Sequence, residues 1–575
     1  MKKIFLLFSI VFFIQIVVTA QTDNRSLRSK TEAALPQIKQ NGLVKQLYVD
    51  DKPYIMLAGE LHNSSASSIE YMKPVWNKLT ALHLNTVVST VSWELVEPAE
   101  GKFDFSLVDA QIREAQKRNI HIVLIWFGSW KNGDSTYPPL WVKTNPERFP
   151  VQQKKKRADG KPAMFDFFGE ERTLPLSPLG ETSMLAEAKA FRSLMHHIRE
   201  VDTGHTIIMM QVDNEMGLMG DSRDRSPLAE AAWTAPVPAE LMNYFLANKN
   251  SLLPEMQEIW GRNGFRTSGT WSEVFGADEW ADEVFMAWCY SHYINKVISE
   301  GKKELNLPMY VNAWLGPQPG QLFPGDWPSG GPVSRVMDVW RAGSPSVDLF
   351  APDIYVQDFK GTCALYSRSG NPLWIPEAED KAGNLFWALG HNAALGWSVY
   401  GVDDINVNGQ VANAYSMLGE MIPQLAGWQA AGKVKSLLIM DGEDKQSVFL
   451  GGYKVTISRP QIPGPPSPDN QTGDPSKSNT MAGGISFDSR SMPDDKRPFC
   501  IVINSADDDF LIFGSNISPG FAIDSNETMK VAIGSIDEGF YSKGSWVQGR
   551  RLNGDEGRPS LRKLGMLKIH LYKYK

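Results

Sequence analysis

At 575 residues the chain is too long for a small stapled module, and a domain length of roughly 150 residues leaves room for three or four domains, or for one large barrel with an appendage. Hydrophobic residues make up 42% and charged residues 21%, which excludes a disordered or collagen-like chain and predicts a sizeable core. The formal charge is −7 and no extended basic stripe offsets it, so nucleic acid is excluded as the expected partner.

The chain opens with Lys2-Lys3, an apolar run over 4–18, and Val18-Thr19-Ala20 before Gln21. That order predicts a secretory signal peptide over 1–20 and a secreted or periplasmic mature chain. No other stretch reaches 18 apolar residues, so no membrane contact is expected beyond the leader. The first cysteine is Cys289, which leaves no lipid-anchored cysteine behind the leader. Cys289, Cys363 and Cys500 are odd in number and far apart, which argues for buried free thiols rather than a disulfide framework or a cysteine zinc site. The basic run at 154–157 reads as a solvated loop.

Eight short β-rich runs follow, at 54–61, 86–93, 121–127, 206–215, 309–315, 347–355, 372–379 and 396–404. Amphipathic or polar stretches separate them, the pattern of alternating strands and helices in a parallel sheet. Several runs end in polar residues, such as Gly59-Glu60-Leu61-His62, Asp213-Asn214-Glu215 and Glu377-Ala378-Glu379. Polarity collected at one end of eight strands predicts a (β/α)8 TIM barrel with its site on the C-terminal face, over residues 21–431. The long stretch between the fourth and fifth runs predicts helical excursions. After it, 432–575 reads as short alternating strands, a C-terminal β-sandwich domain, with a mobile Pro/Ser/Gly-rich insertion at about 461–498.

Two strand-end carboxylates stand out. Glu215 ends the fourth run beside Asn214 and apolar Met216, where desolvation raises a carboxyl pKa and suits it to general acid work. Glu377 ends the seventh, with Glu379 as a rival. Strands four and seven face each other across a barrel axis, and two flanking carboxylates are what cleavage of a glycosidic bond needs. The 18 tryptophans fit a ligand that stacks flat apolar faces, such as a sugar.

The segment 84–105, with Trp93, Glu97-Pro98, Gly101 and Phe103-Asp104-Phe105, resembles the second strand and Glu-Pro turn of the glycoside hydrolases of family 35, within the clan of retaining barrel enzymes. Gly59-Glu60-Leu61-His62 and Asn214-Glu215 carry the same resemblance, and Gly549-Arg550-Arg551-Leu552-Asn553-Gly554-Asp555-Glu556 resembles the β domain of a bacterial subgroup. The resemblance implies that Glu215 is the acid/base, Glu377 the nucleophile, Asn214 the ligand of the sugar 2-hydroxyl, and Tyr355 a hydroxyl set against the nucleophile. It also implies substrate contacts from Glu60, His62 and Trp93.

The chain departs from the β-galactosidases of that family after strand three. They carry Cys-Ala-Glu-Trp, and this chain has Trp126-Phe127-Gly128-Ser129-Trp130-Lys131-Asn132. Trp126, Trp130 and Asn132 are therefore expected to supply a replacement platform and amide. No metal motif, phosphate loop or nucleophile elbow is present, so neither metal nor cofactor is expected. The sequence thus predicts a secreted retaining exo-β-glycosidase, a β-galactosidase acting on galactosylated oligo- or polysaccharide. An α-L-arabinopyranosidase with the same machinery and a catalytically silent carbohydrate-binding protein remain alternatives, and a homo-oligomer is left open.

Overall fold

The computed structural model describes residues 34–155, 175–460, 493–523 and 528–575. The expected leader, residues 156–157 of the basic run, and residues 461–492 of the expected insertion lie outside the described residues.

Seven of the eight expected runs contain a strand of one parallel sheet, and the third strand begins in its expected run and continues four residues past it: β1 (Met56–Glu60), β2 (Thr86–Ser92), β3 (His121–Lys131), β4 (Ile207–Asn214), β5 (Met309–Trp314), β6 (Leu349–Asp353), β7 (Trp374–Ile375) and β8 (Gly396–Tyr400). β8 pairs with β1 from Gly396↔Met56 to Tyr400↔Glu60. The ring closes between β6 and β7 at the bridge Ile354↔Ala378, where Ile354 N donates to Glu377 O at 2.9 Å. β7 is two residues long because Pro372 and Pro376 flank it, and proline has no N–H to give a ladder.

Alternation along each strand sorts side chains into two layers. Met56, Ala58, Val123, Ile125, Tyr310, Ala351 and Trp374 form one buried cluster, the filling of the barrel. Leu57, Ile122, Leu124, Trp126, Met210 and Val212 belong to another, shared with the surrounding helices. Those helices include α1 (Glu181–Val201), α2 (Glu279–Glu304), α3 (Phe359–Tyr366) and α4 (Ala382–His391). On α1 the buried Glu187, Phe191, Leu194 and Ile198 recur at helical spacing, with Glu181 in its first turn and Arg199 in its last. The long connection from β4 to β5 is helical as expected, with Pro227–Thr234, Ala239–Ala247, Pro254–Gly261, Trp271–Phe275 and then α2.

A three-stranded antiparallel sheet precedes the barrel, Gln37–Asn41, Val44–Val49 and Lys52–Tyr54. Its Leu47 and Val49 join the barrel-filling cluster. The C-terminal part holds a six-stranded and a three-stranded antiparallel sheet. Leu437, Cys500, Val502, Ile512 and Ile569 of the larger sheet meet Tyr453, Val455 and Ile457 of the smaller one in a shared apolar layer. The alternate residues Phe499, Ile501 and Phe513 turn to the barrel, where Phe386 of α4 sits with its ring 4.7 Å from both Phe499 and Phe513. Burying both faces in this way explains why the run 499–503 is continuously apolar. All three cysteines are buried free thiols. Among the described residues, no helix is long and apolar enough to cross a membrane.

Candidate active site

At the C-terminal end of the barrel lies a cavity of about 350 Å³, walled by Asn63, Lys131, Asn132, Glu215, Trp314, Leu315, Gln318, Asp353, Tyr355, Val356, Glu377 and Tyr400. Glu215, Glu377, Tyr355 and Asn132 of the expected site thus come together. Asn214 is fully buried just behind them.

One chain of hydrogen bonds fixes Glu377. Lys131 Nζ donates to Asn214 Oδ1 at 2.7 Å, which turns the amide so that Asn214 Nδ2 donates to Glu377 Oε1 at 3.4 Å. Tyr355 OH donates to the other oxygen, Glu377 Oε2, at 2.9 Å. Both carboxylate oxygens are therefore held, and the donor from Tyr355 stands where the family resemblance put it. Glu379 lies outside the cavity, exposed and paired with Lys381 Nζ at 2.6 Å.

A second chain fixes Glu215. Its backbone N donates to Asn312 Oδ1 at 2.9 Å, and Asn312 Nδ2 donates to Asp353 Oδ2 at 2.7 Å. The Asp353 carboxyl is thereby set beside Glu215, close enough for each to influence the other's proton affinity. Backbone φ is +57° at Asp213 and +42° at Glu215. These left-handed residues break the strand alternation and swing Asn214 and Glu215 toward the cavity. The turn is held by Asp213 Oδ1, which accepts from Gly128 N at 3.1 Å and from Trp130 N at 3.0 Å where β3 and β4 lose register.

Burial, and then the charge of Glu377, push the Glu215 carboxyl up to about 7. Asp353 and Glu60 are raised well above the usual carboxylate range, by burial first and by Glu377 next. Burial pulls the Lys131 ammonium down, but Glu377, Glu215 and Glu60 together outweigh it and its pKa ends raised. The site is a buried cation set among carboxyl groups, one of them suited to hold a proton near neutrality.

The remaining expected residues divide by strand parity. Glu60 continues the Met56 and Ala58 face into the barrel interior, is fully buried, and has no hydrogen-bond partner on either oxygen. His62 donates its backbone N to Asp403 Oδ1 at 3.0 Å, its Nε2 lies 2.9 Å from Asp404 Oδ2, and its ring meets Tyr400 edge-on at 5.4 Å. It braces a wall residue rather than lining the cavity. Trp93, Trp126 and Trp130 are each 0% exposed and present no face to the cavity. Trp126 continues the Ile122 and Leu124 parity toward α1, where its Nε1 donates to Glu187 Oε1 at 3.0 Å. Trp130 Nε1 donates to Leu176 O at 3.0 Å, and Trp93 Nε1 to Glu97 Oε2 at 2.9 Å. The expected platform of Trp126 and Trp130 is thus corrected to core packing, while Asn132 does reach the cavity with an Oδ1 that no protein group bonds. Lys131, Asn312, Asp353, Asn63 and Tyr400 went unpredicted. Their signal was polarity at or near the ends of buried strands, as in Val311-Asn312-Ala313 and Pro352-Asp353-Ile354.

Among the described residues, no cluster of His, Cys, Asp and Glu has the arrangement of a metal site. Unbonded buried oxygens on Asn63 and Asn132 leave acceptors for a hydroxyl-rich ligand.

Residues 68–282 match the β-galactosidase family model of glycoside hydrolase family 42, and residues 411–562 match a domain of unknown function, DUF5597. Over 183 residues the chain is 31% identical to a β-galactosidase of Xanthomonas manihotis, covering 31% of this chain and 26% of the relative. The chain thus spans about a quarter of the curated relative it matches. Among solved structures, the β-galactosidase from Bacillus circulans sp. alkalophilus is similar at 14% identity and a TM-score of 0.42, covering 64% of this chain and 57% of that one. The β-galactosidase from Rahnella sp. R3 is similar at 15% identity and a TM-score of 0.40, covering 65% and 57%. The matching model is that of family 42, not the family 35 of the sequence resemblance. Residues 68–282 are similar to β-galactosidase-type glycoside hydrolases over the stretch that carries Lys131, Asn132, Asn214 and Glu215, and the match ends before Glu377.

Proposed function

We propose that this protein is a retaining exo-β-glycosidase, a β-galactosidase that removes terminal β-galactosyl residues from complex glycans. The observation that carries the reading is that two of the three carboxyl groups lining one cavity stand in unlike settings: Glu377 gripped on both oxygens by Asn214 and Tyr355, and Glu215 raised to about 7. A carboxyl that holds its proton near neutrality suits the acid, and a carboxylate oriented by two donors suits the nucleophile. The β-galactosidase match over 68–282 supports the sugar, and the family 35 features of 84–105 point to the same retaining clan.

In the first step Glu377 bonds to the anomeric carbon as the glycosidic C–O bond breaks, and the leaving oxygen takes the proton of Glu215. In the second, Glu215 as carboxylate takes a proton from water, the water oxygen bonds to the anomeric carbon, and Glu377 departs. Asp353, itself raised by burial first and by Glu377 next, stands beside that carboxyl and is linked to its backbone through Asn312. The leader pattern of 1–20 supports action outside the cytoplasm.

The test is a panel of aryl glycosides (β-galactoside, α-L-arabinopyranoside, β-glucoside, β-xyloside) with Glu377→Ala as control. Release from the β-galactoside that vanishes in Glu377→Ala is the expected result. Release from the arabinopyranoside alone would replace the sugar and keep the mechanism. Undiminished activity in Glu377→Ala would refute the assignment, and sugar binding by calorimetry without turnover would identify a silent binding protein.

A further inference from the structure

Past the ends of β5 and β6 a second cavity, of about 450 Å³, adjoins the first, and the two share Leu315, Gln318 and Val356. The first cavity has two unlike sides. Asn63 after β1, Lys131 at the end of β3, Asn132 just after it, and Tyr400 at the end of β8 are polar. The β5–β6 side, toward the second cavity, adds the apolar faces of Trp314, Leu315 and Val356 to the polar Gln318, Asp353 and Tyr355. The second cavity continues that apolar wall with Pro317, Leu365 and Tyr366. Among the described residues its one charged wall residue is Asp358, whose Oδ1 already accepts from Gly361 N at 2.9 Å at the start of α3.

We propose that this second cavity is the leaving-group subsite, and that it takes a neutral leaving group at least one sugar ring in size. The inference rests on the glycosidase reading above. A glycone rich in hydroxyls is held by the amides and ammonium on the polar side, so the substituent on its anomeric oxygen is directed toward β5 and β6. Glu215, which protonates that oxygen, is itself anchored on β5 through Asn312. The second cavity exceeds the first, about 450 against 350 Å³, so a site pair that holds one ring in the first holds at least one more in the second. Among the described residues no lysine, arginine or histidine lines it, so a carboxylate or sulfate on the leaving group would be desolvated there without a partner.

Filling the cavity tests this. Ser334 and Leu365 line it and neither touches the carboxylate pair, so Ser334→Trp and Leu365→Trp are made separately in the full chain, with melting temperature as the check on folding. Each is assayed on a glycosyl fluoride, whose leaving group is a single atom, and on a neutral trisaccharide with the same terminal sugar. The expected result is a loss of about tenfold or more in kcat/KM on the trisaccharide, with the fluoride changed by less than about twofold, because only the larger leaving group enters the filled space. Wild-type preference for the neutral trisaccharide over one with a uronic acid next to the terminal sugar is expected as well. Equal losses on fluoride and trisaccharide, or no loss on either from two folded variants, would overturn the subsite. A folded wild type inert on the fluoride would instead refute the glycosidase reading, and the subsite with it.

Discussion

Lys131 is the residue on which the two halves of the site depend. Its ammonium fixes the Asn214 amide at 2.7 Å, and its charge lowers both Glu215 and Glu60 against the burial that raises them. Lys131→Met removes both effects. With the cation gone Glu215 rises above about 7, and a general acid works only while protonated, so the alkaline limb of the kcat/KM profile moves to higher pH. The amide also loses its anchor, and a loss of about 100-fold in kcat/KM is expected from a displaced contact at the reacting centre. A profile that keeps its alkaline limb in Lys131→Met would show that the lysine is only structural. Glu215→Ala separates the acid from the nucleophile in another way. Its loss is expected to be far larger on an alkyl glycoside than on a dinitrophenyl glycoside, whose leaving oxygen needs no proton, and equal losses on the two would remove Glu215 from the acid role.

At the scale of elements, strand parity decides which aromatic residues serve the site and which serve the core. Trp126 shares the outward parity of Ile122 and Leu124, and its indole satisfies the buried Glu187 together with Ser129 and Tyr293. Trp126→Phe leaves that carboxyl one donor short, so a destabilisation of ~1–3 kcal/mol is expected by denaturant unfolding, with KM unchanged. A raised KM at unchanged stability would restore the sugar-platform role. This parity was legible in the sequence, because 122, 124 and 126 form one alternating set in an uninterrupted strand. The eight strands and the two carboxylates were legible for the same reason, since each rests on a local pattern of apolar run and polar end. What was not legible arises where the chain leaves its local rule. The left-handed turns at Asp213 and Glu215 re-aim Asn214, and the loss of register between Trp126 and Lys131 delivers Lys131 to Asn214. Both depend on Asp213 meeting the backbone of β3, a contact between residues 83 and 85 positions apart. The N-terminal sheet escaped for a related reason: its short strands gain their burial only from Leu47 and Val49 against the barrel filling.

For the whole molecule, the same burial that tunes the site sets how stability varies with pH. Glu215 and Glu283 are both pushed up to about 7, each by burial first. In the unfolded chain they titrate near 4.5, so between about 4.5 and 7 the folded state binds more protons and stability falls as pH rises. The opposite sign holds for Glu300 and Glu304, lowered to about 2 by hydrogen bonds from Lys296 and Lys303 and from Arg192 and His196. Their contribution is present above about 4.5 and is lost as pH falls toward 2. Thermal unfolding is therefore expected to peak at about pH 4.5 and to decline on both sides. Glu283 lies apart from the cavity, where its Oε1 accepts from Trp327 Nε1 at 2.9 Å. Glu283→Gln keeps that acceptor and removes the ionisation, so it should flatten the decline above pH 5 while leaving the pH profile of turnover to Glu215. A melting temperature that climbs steadily from pH 5 to 8 in both proteins would mean that these carboxyl groups are not held protonated in the fold, and the general-acid assignment of Glu215 would lose its physical basis.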